Sequence, residues 1–529
     1  MKPGFRVALS VSIFGLNLIL ALSSAAQVSV TTSRNDNHRD GQNTSETILT
    51  PSNVNSQQFG KLFTHYVDGY VYAQPLYMPN VNIHGVTHNV IYVVSEHDTV
   101  FAFDADNAKG TNAKPLWYTS FLNPPDVVSV SSKVVQCGDL VPEIGITSTP
   151  VIDPASGTIY VVAKTREGSH VVQRLHALDI TTGQERSNSP VEIKASVKGN
   201  GAGSNNGLVN FNPLRNAQRP GLLLQNGTIY IGWASHCDNG PYHGWIMAYD
   251  ENTLQQKNIW NADPNGTDAG VWQSGTGLAG DGSNIFVATG NGTYDGSTDF
   301  GDSIVKLTPG SQHLIPLTDY FTPDDQQRLD DNDTDLGSGG VLLLPDQTKG
   351  PHKHLLVEAG KQGSIYLVNR DNMGHYNQNN NSQIVQDLEN AVGGLWSTPA
   401  FWNNNVYFGG SYDFLRQYTF DPESGLLSSG AVSVSGTYYN FPGPTPSISA
   451  NGNANGIVWT LQTDAYGTGS AILHAYDATN LATELYNSKQ NSRDDAGGAV
   501  KFTVPTIANG KVYVPAVQRL TVYGLLKGN

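Results

Sequence analysis

The sequence predicts an all-β protein, an eight-bladed β-propeller of four-stranded antiparallel blades, and three observations carry that reading. Short runs of alternating β-branched and aromatic residues recur along the chain, bounded by Gly, Asn or Asp, as strands joined by tight turns do. These runs group into one unit that returns about eight times, which marks a repeat architecture. The composition agrees: 56 glycines and only 14% charged residues in 529 suit a turn-rich sheet protein better than a helical one. A double β-sandwich or a β-helix would use similar residues, but units this long, ending in an aromatic-rich strand and an aspartate, fit neither well.

In chain order, residues 1–26 have a basic start (Lys2, Arg6), an apolar run from Val7 to Leu22, and Ser24-Ala25-Ala26 before Gln27. That is the pattern of a secretory signal peptide. An uncleaved membrane anchor is the alternative; with cleavage near Ala26 the mature chain is expected to be secreted or periplasmic. Residues 27–58 are rich in Asn, Ser and Thr and read as a loosely held polar lead-in. The propeller then occupies 59–527. Its first segment, FGKLFTHYVDG (59–69), is the candidate outer strand of the last blade, which would close the ring by pairing the two termini.

The repeat is clearest in YAQPLYMPNV…VIYVVSEHDTVFAFDAD (72–106), TSTPVIDPASGTIYVVAKT…LHALDITTG (147–183) and WSTPAFWNNNVYFGGSYDFLRQYTFDPESG (396–425). Each copy has a Ser/Thr-Pro-type strand, a Gly or Asn turn, a β-branched and aromatic strand, and an A-x-D-type strand end. One such sheet cannot bury both faces. A ring of them around an axis does, and it leaves only short edges.

The net charge of −15 excludes a nucleic-acid surface and a site for anionic membranes. Past the signal segment, no run is long and apolar enough to span a bilayer. Two cysteines, Cys137 and Cys237, would enter an oxidising compartment, where a disulfide between them is plausible but not readable from spacing. The absence of C-x-x-C-H predicts no covalently attached haem.

The stretch with chemistry runs from 284 to 340. It places Asn291 after a strand, then Asp333 and Asp335 as Asp-x-Asp, with Trp272 upstream and Lys361 downstream. An amide oxygen and a carboxylate pair suit a hard cation. A flat aromatic and a lysine suit a planar anion. Plainer readings stay open for each: Asn291-Gly292 as a hairpin turn, the aspartates as a solvated acidic loop, Lys361 as a surface lysine, Trp272 as a core tryptophan.

With its repeats and its A-x-D-x-x-T-G ends, such as ALDITTG (177–183), nearly the whole mature chain resembles the quinoprotein alcohol dehydrogenase superfamily, whose members bind pyrroloquinoline quinone (PQQ). The resemblance implies that Asn291, in Ala288-Thr289-Gly290-Asn291, ligates a metal. Asp333 falls at the catalytic base, and Asp335 at the second carboxylate of lanthanide-using members. Lys361 matches the cation that contacts the quinone, and Trp272 the ring stacked beneath it. Two departures stand out. The family's metal-ligating glutamate aligns with Asp238 or Asn239, and its adjacent cysteine pair is reduced to Cys137, which is free to pair with Cys237.

Two functions are expected on this basis. The first is a dehydrogenase using PQQ with Ca²⁺ or a lanthanide to oxidise a small alcohol or sugar, passing electrons to an external acceptor. The second is a non-catalytic propeller that binds a protein or glycan through its loops.

Overall fold

The computed structural model describes Met1, Gly4 and residues 27–527. The segment read as a signal peptide, 1–26, lies outside the described residues, Met1 and Gly4 apart. Eight sheets form the blades of a propeller. Leu76–Ile83, Val86–Ser95, Thr99–Asp104 and Trp117–Ser120 make blade 1, each strand antiparallel to the next. Blades 2 to 7 occupy 151–192, 223–261, 279–322, 342–388, 400–439 and 447–487.

Blade 8 joins the two ends of the chain. The strand Lys511–Leu525 pairs at its start with Thr506–Ala508 and, from Val517 onward, with Phe59–Tyr70. The closure expected of 59–69 is therefore present. Among the described residues no helix is long and apolar enough to cross a membrane.

The strands are apolar on both faces because each blade is buried against two neighbours. Apolar clusters fill the interfaces: Trp233, Trp245 and Tyr160 between blades 2 and 3, Phe286, Val341 and Tyr366 between 4 and 5, Trp459, Tyr486 and Tyr523 between 7 and 8. A polar clasp recurs across them. A tyrosine in the second strand of one blade donates to the carbonyl just after the A-x-D end of the next: Tyr92 to Ile180, Tyr160 to Glu251, Tyr407 to Ala478 and Tyr513 to Ala105. The aspartate turns the chain there, as Asp179 does by accepting the backbone N–H groups of Thr181 and Thr182.

The structure departs from the sequence reading at the lead-in. Residues 30–43 are not loosely held; they circle the inside of the channel and bond to every blade in turn. Val30 pairs with Tyr77, the carbonyl of Thr31 accepts from Ile152, and Arg39 donates to Leu222. Carbonyls of Asn37, His38, Asp40 and Gly41 accept from Gly280, Leu343, Phe401 and Ile448, and the Asn43 side chain reaches the Ile507 carbonyl. The physical reason is the inner strand's free edge: its N–H and C=O groups face a narrow channel and need partners. Asn, Ser and Thr look like solvated coil in a sequence, yet here they supply those partners. Arg34 and Arg39 are both fully buried at the centre of this ring.

Candidate functional site

Opposite the ring, the channel opens into a cavity of about 200 Å³, whose lining includes Arg219, Trp272, Asp335, Lys361, Trp396 and Phe502. Each inner strand links the two ends. Ser338, Trp396 and Phe502 line the cavity, and five residues further on Leu343, Phe401 and Ile507 meet the ring. Five residues of strand span about 16 Å.

Local structure brings the predicted residues to one side of this cavity. Trp272 lies on the connection from blade 3 to blade 4. Asn291 follows the strand Ile285–Ala288, Asp333 and Asp335 follow the short helix Gln326–Asp331, and Lys361 follows Leu355–Glu358. Gly290 makes the approach possible: a Cβ there would stand 2.2 Å from an Asp335 oxygen and 3.0 Å from Trp272 Cδ1. Asp333 has a φ of 52°, a left-handed conformation that costs a non-glycine residue strain. It turns both the carbonyl and the carboxylate of Asp333 toward Lys361.

The bonds are specific. Lys361 Nζ lies 2.7 Å from Asp333 Oδ1 and 2.5 Å from Asp335 Oδ2, and it donates to the Asp333 carbonyl at 3.0 Å. Asn291 donates its backbone N–H to Asp335 Oδ1 at 2.8 Å and its amide to Asp333 Oδ1 at 2.9 Å. Asp335 lies inside, with its side chain 7% exposed, whereas the Asp333 side chain stands at the rim and is 70% exposed. Burial pushes the Asp335 carboxyl up, against the pull of Lys361. Burial would weaken the Lys361 charge, but Asp335 and Asp333 hold its pKa above the ordinary lysine value.

Two partners of this site were not picked out from the sequence. Asp302 accepts the N–H of Leu336 at 3.0 Å, directly behind Asp335. Glu358, fully buried, has no hydrogen-bond partner for either carboxyl oxygen among the described residues. Burial pushes both groups well above the carboxylate range; the charge of Asp335 raises Asp302 further, and that of Asp302 raises Glu358. The signal for Glu358 was legible, an acidic residue ending the apolar strand LLVE two residues before a glycine.

The remaining predicted residues divide. Asp238 lines the cavity, bonded to Ser235 and Tyr242. Asn239 is turned away and donates its amide to the carbonyls of Val135 and Gln136. Cys137 forms a disulfide with Cys237, and the Cys237 side of that bridge lines the cavity. The bridge ties the blade 2 and blade 3 loops together where Asn239 also docks.

Two kinds of group can be tested against these residues. A flat aromatic anion fits the cavity in kind: Trp272, Trp396 and Phe502 offer faces, and Lys361 and Arg219 offer charge. For a hard cation, the Asn291 Oδ1 is buried without a hydrogen-bond partner, and two carboxylates stand beside it. These oxygens are of the right chemistry. As placed, the two carboxylates hold the Lys361 ammonium, and among the described residues no three His, Cys, Asp or Glu side chains form a ready metal cage.

No family model matches the sequence, and no curated protein matches it. Solved structures do match the fold. A quinohemoprotein alcohol dehydrogenase from Comamonas testosteroni superposes with a TM-score of 0.59 at 16% identity, over 96% of this chain and 82% of that one. A quinohemoprotein alcohol dehydrogenase from Pseudomonas putida HK5 gives 0.58 at 14%, over 94% and 80%. A europium-containing methanol dehydrogenase gives 0.59 at 13%, over 94% and 98%. The chain thus has the eight-bladed propeller fold of the quinoprotein alcohol dehydrogenases.

Proposed function

We propose that this protein is an extracytoplasmic dehydrogenase that binds PQQ in the cavity and oxidises a small alcohol or sugar. The observation that carries the reading is the convergence of separate loops of blades 3, 4 and 5 at one end of the channel, where Trp272, Asp335 and Lys361 line the cavity and Asn291 and Asp333 bond to them. The N-terminal ring fills the other end, so ligands enter from the cavity side.

When bound, PQQ would supply a two-electron acceptor, and a Ca²⁺ or lanthanide ion a Lewis acid. Asn291, Asp333 and Asp335 would hold the ion, with Asp238 adding negative charge beside Asp335. Asp333, exposed at the rim, takes the substrate hydroxyl proton on its carboxylate and returns it to solvent. With a bound ion neutralising the two aspartates, Lys361 would also be able to offer its charge to the ligand. Trp272 supports the flat ligand from one face. Electrons then leave to an external acceptor.

One observation favours a second reading. Lys361 pairs with both aspartates, which also suits a propeller that has kept the fold and binds a protein or glycan partner instead. Reconstitution separates the two. The purified mature protein is titrated with PQQ alone, with Ca²⁺ and with La³⁺, following quinone absorbance and dye-linked alcohol oxidation. Saturable, metal-dependent binding with turnover that falls at least about 10²-fold in Asp333→Asn is expected. Absence of PQQ binding under all three conditions would reject the dehydrogenase.

A further inference from the structure

The inner strands of several repeats open on a proline, and the residue before it lies at the channel axis. These residues are Gln74, Thr149, Arg219, Thr398 and Thr445. Four are short or neutral. Gln74 accepts the backbone N–H of Arg34 in the ring and donates its own N–H to Thr149. Thr398 and Thr445 crowd Gly340 and Gly275. Only blade 3 puts a long cation in this tier.

Arg219 does not join the ring below it. Its guanidinium reaches from blade 3 across the channel to rings on either side of the chain's closure, 4.7 Å over Phe502 and 5.5 Å over Tyr72. It lines the cavity. Among the described residues it donates no side-chain hydrogen bond and makes no ion pair. The other cations nearby are committed: Lys361 to Asp333 and Asp335, and Lys501 to Asp139. The nearest acidic wall residue, Asp139, is therefore already neutralised. A guanidinium held by two aromatic faces, with its five donors unused, is organised for a planar oxyanion.

We propose that Arg219 is the anion anchor of the cavity, taking a carboxylate of a planar aromatic ligand at the end opposite Lys361. The inference rests on the reading of the cavity as a quinone site for the identity of that ligand, but not for the anchor itself. Lys361 pairs directly with protein carboxylates, whereas Arg219, which feels Asp139 and Glu96 only at longer range, makes no ion pair among the described residues. It therefore selects for a negatively charged ligand over a neutral one of the same shape.

The test measures binding by calorimetry and tryptophan fluorescence, independent of turnover. Wild type, Arg219→Gln and Arg219→Lys are titrated with PQQ, with its trimethyl ester, and with pyridine-2,4,6-tricarboxylate as a small anionic probe. Wild type is expected to prefer PQQ over the ester by about tenfold or more, the worth of a charge-assisted pair. Arg219→Gln should erase that preference by weakening PQQ alone, and Arg219→Lys should keep part of it. Should the Gln variant not fold, the narrowed preference in Arg219→Lys carries the same test.

If wild type ignores PQQ but binds the tricarboxylate in an Arg219-dependent manner, the anchor stands and the quinone reading falls. Equal binding of PQQ by wild type and Arg219→Gln would overturn the anchor, as would failure of both anionic probes to bind.

Discussion

At the ring end of the channel, Arg34 and Arg39 are fully buried and spend their guanidinium groups on backbone carbonyls, those of Pro399 and Pro446 for one and of Leu278 and Ser33 for the other. At the cavity end, Arg219 lies against aromatic rings and donates to nothing, Asn291 Oδ1 is buried without a partner, and so is Trp272 Nε1. The same inner strands serve both ends. Among the described residues the ring end is largely finished by the chain itself, although Arg34 Nε and Gln74 Nε2 stay unpartnered there, and the cavity end leaves the Arg219 guanidinium, Asn291 Oδ1 and Trp272 Nε1 for something else to satisfy. A buried polar group without a partner costs about 1–3 kcal/mol, so an unfinished end is retained where a ligand offsets that cost.

The largest effect should come from breaking the finished end. Arg39→Ala removes bonds to Leu278, Ser33, Thr32 and Leu222 at once and strands their acceptors. A loss of about 3–5 kcal/mol is expected, read as a lower urea midpoint. Ligand affinity per folded molecule should not change. If Arg39→Ala instead weakens ligand binding while leaving the midpoint in place, the division between the two ends is wrong.

Glu96 sharpens the comparison through pH. It is fully buried between blades 1 and 2, accepting from Gly145 and Thr147, and burial pushes its carboxyl from 4.5 to about 7. Asp98 and Glu143 stand near it on the acidic side, and Arg219 on the basic side. A folded-state pKa above the unfolded one means the folded protein holds the proton more tightly. The associated stability is complete below pH 4.5 and is lost as pH rises to about 7. Glu96→Gln mimics the protonated form. It should gain about 3 kcal/mol relative to wild type between those limits, with the curves parallel outside them. Parallel curves throughout would mean that Glu96 does not titrate in that window.

Asp335→Asn addresses the unfinished end and should be milder for the fold. The amide keeps the shape and the bond from Asn291, and Lys361 keeps its bonds to the backbone carbonyl and Oδ1 of Asp333. A cost of about 1–3 kcal/mol is expected in urea unfolding. Metal-dependent quinone binding should disappear. The opposite pattern, a protein unfolded at neutral pH with no other effect, would make Asp335 a structural residue.

How much of this was readable beforehand follows from where the determining contacts lie. The propeller was legible because its evidence is local. Period-2 strands recur in every repeat, and X-Pro starts and A-x-D ends in several of them. Trp272, Asn291, Asp333, Asp335 and Lys361 could be named together because a resemblance groups them by their order along the chain, and the structure bonds Asn291, Asp333, Asp335 and Lys361 to one another. Arg219 was not legible, since its meaning lies in reaching Tyr72 and Phe502 across a closed ring. The lead-in misled for the same reason. Its Asn, Ser and Thr residues have no local pattern, and their partners are spread over eight blades that the sequence does not juxtapose. The Cys137–Cys237 pairing lies between these cases, plausible from composition but fixed only once two loops meet.

The smallest effect tests the scaffold that both ends share. Tyr407 is buried and donates its hydroxyl at 2.6 Å to the carbonyl of Ala478 in the next blade. Tyr230 holds the matching place in the second strand of blade 3, yet its hydroxyl has no such bond, because the next blade's third strand ends in Leu307-Thr308, without the A-x-D turn. Phenylalanine at either site keeps the ring and its packing. Tyr407→Phe should therefore cost about 1–2 kcal/mol, the bond plus a stranded carbonyl. Tyr230→Phe should stay within about 0.5 kcal/mol. Neither should alter ligand binding, since both lie between blades and away from the cavity wall. Equal costs would mean that the tyrosine contributes through its ring alone, and the A-x-D turn would then be a device for reversing the chain rather than for fastening one blade to the next.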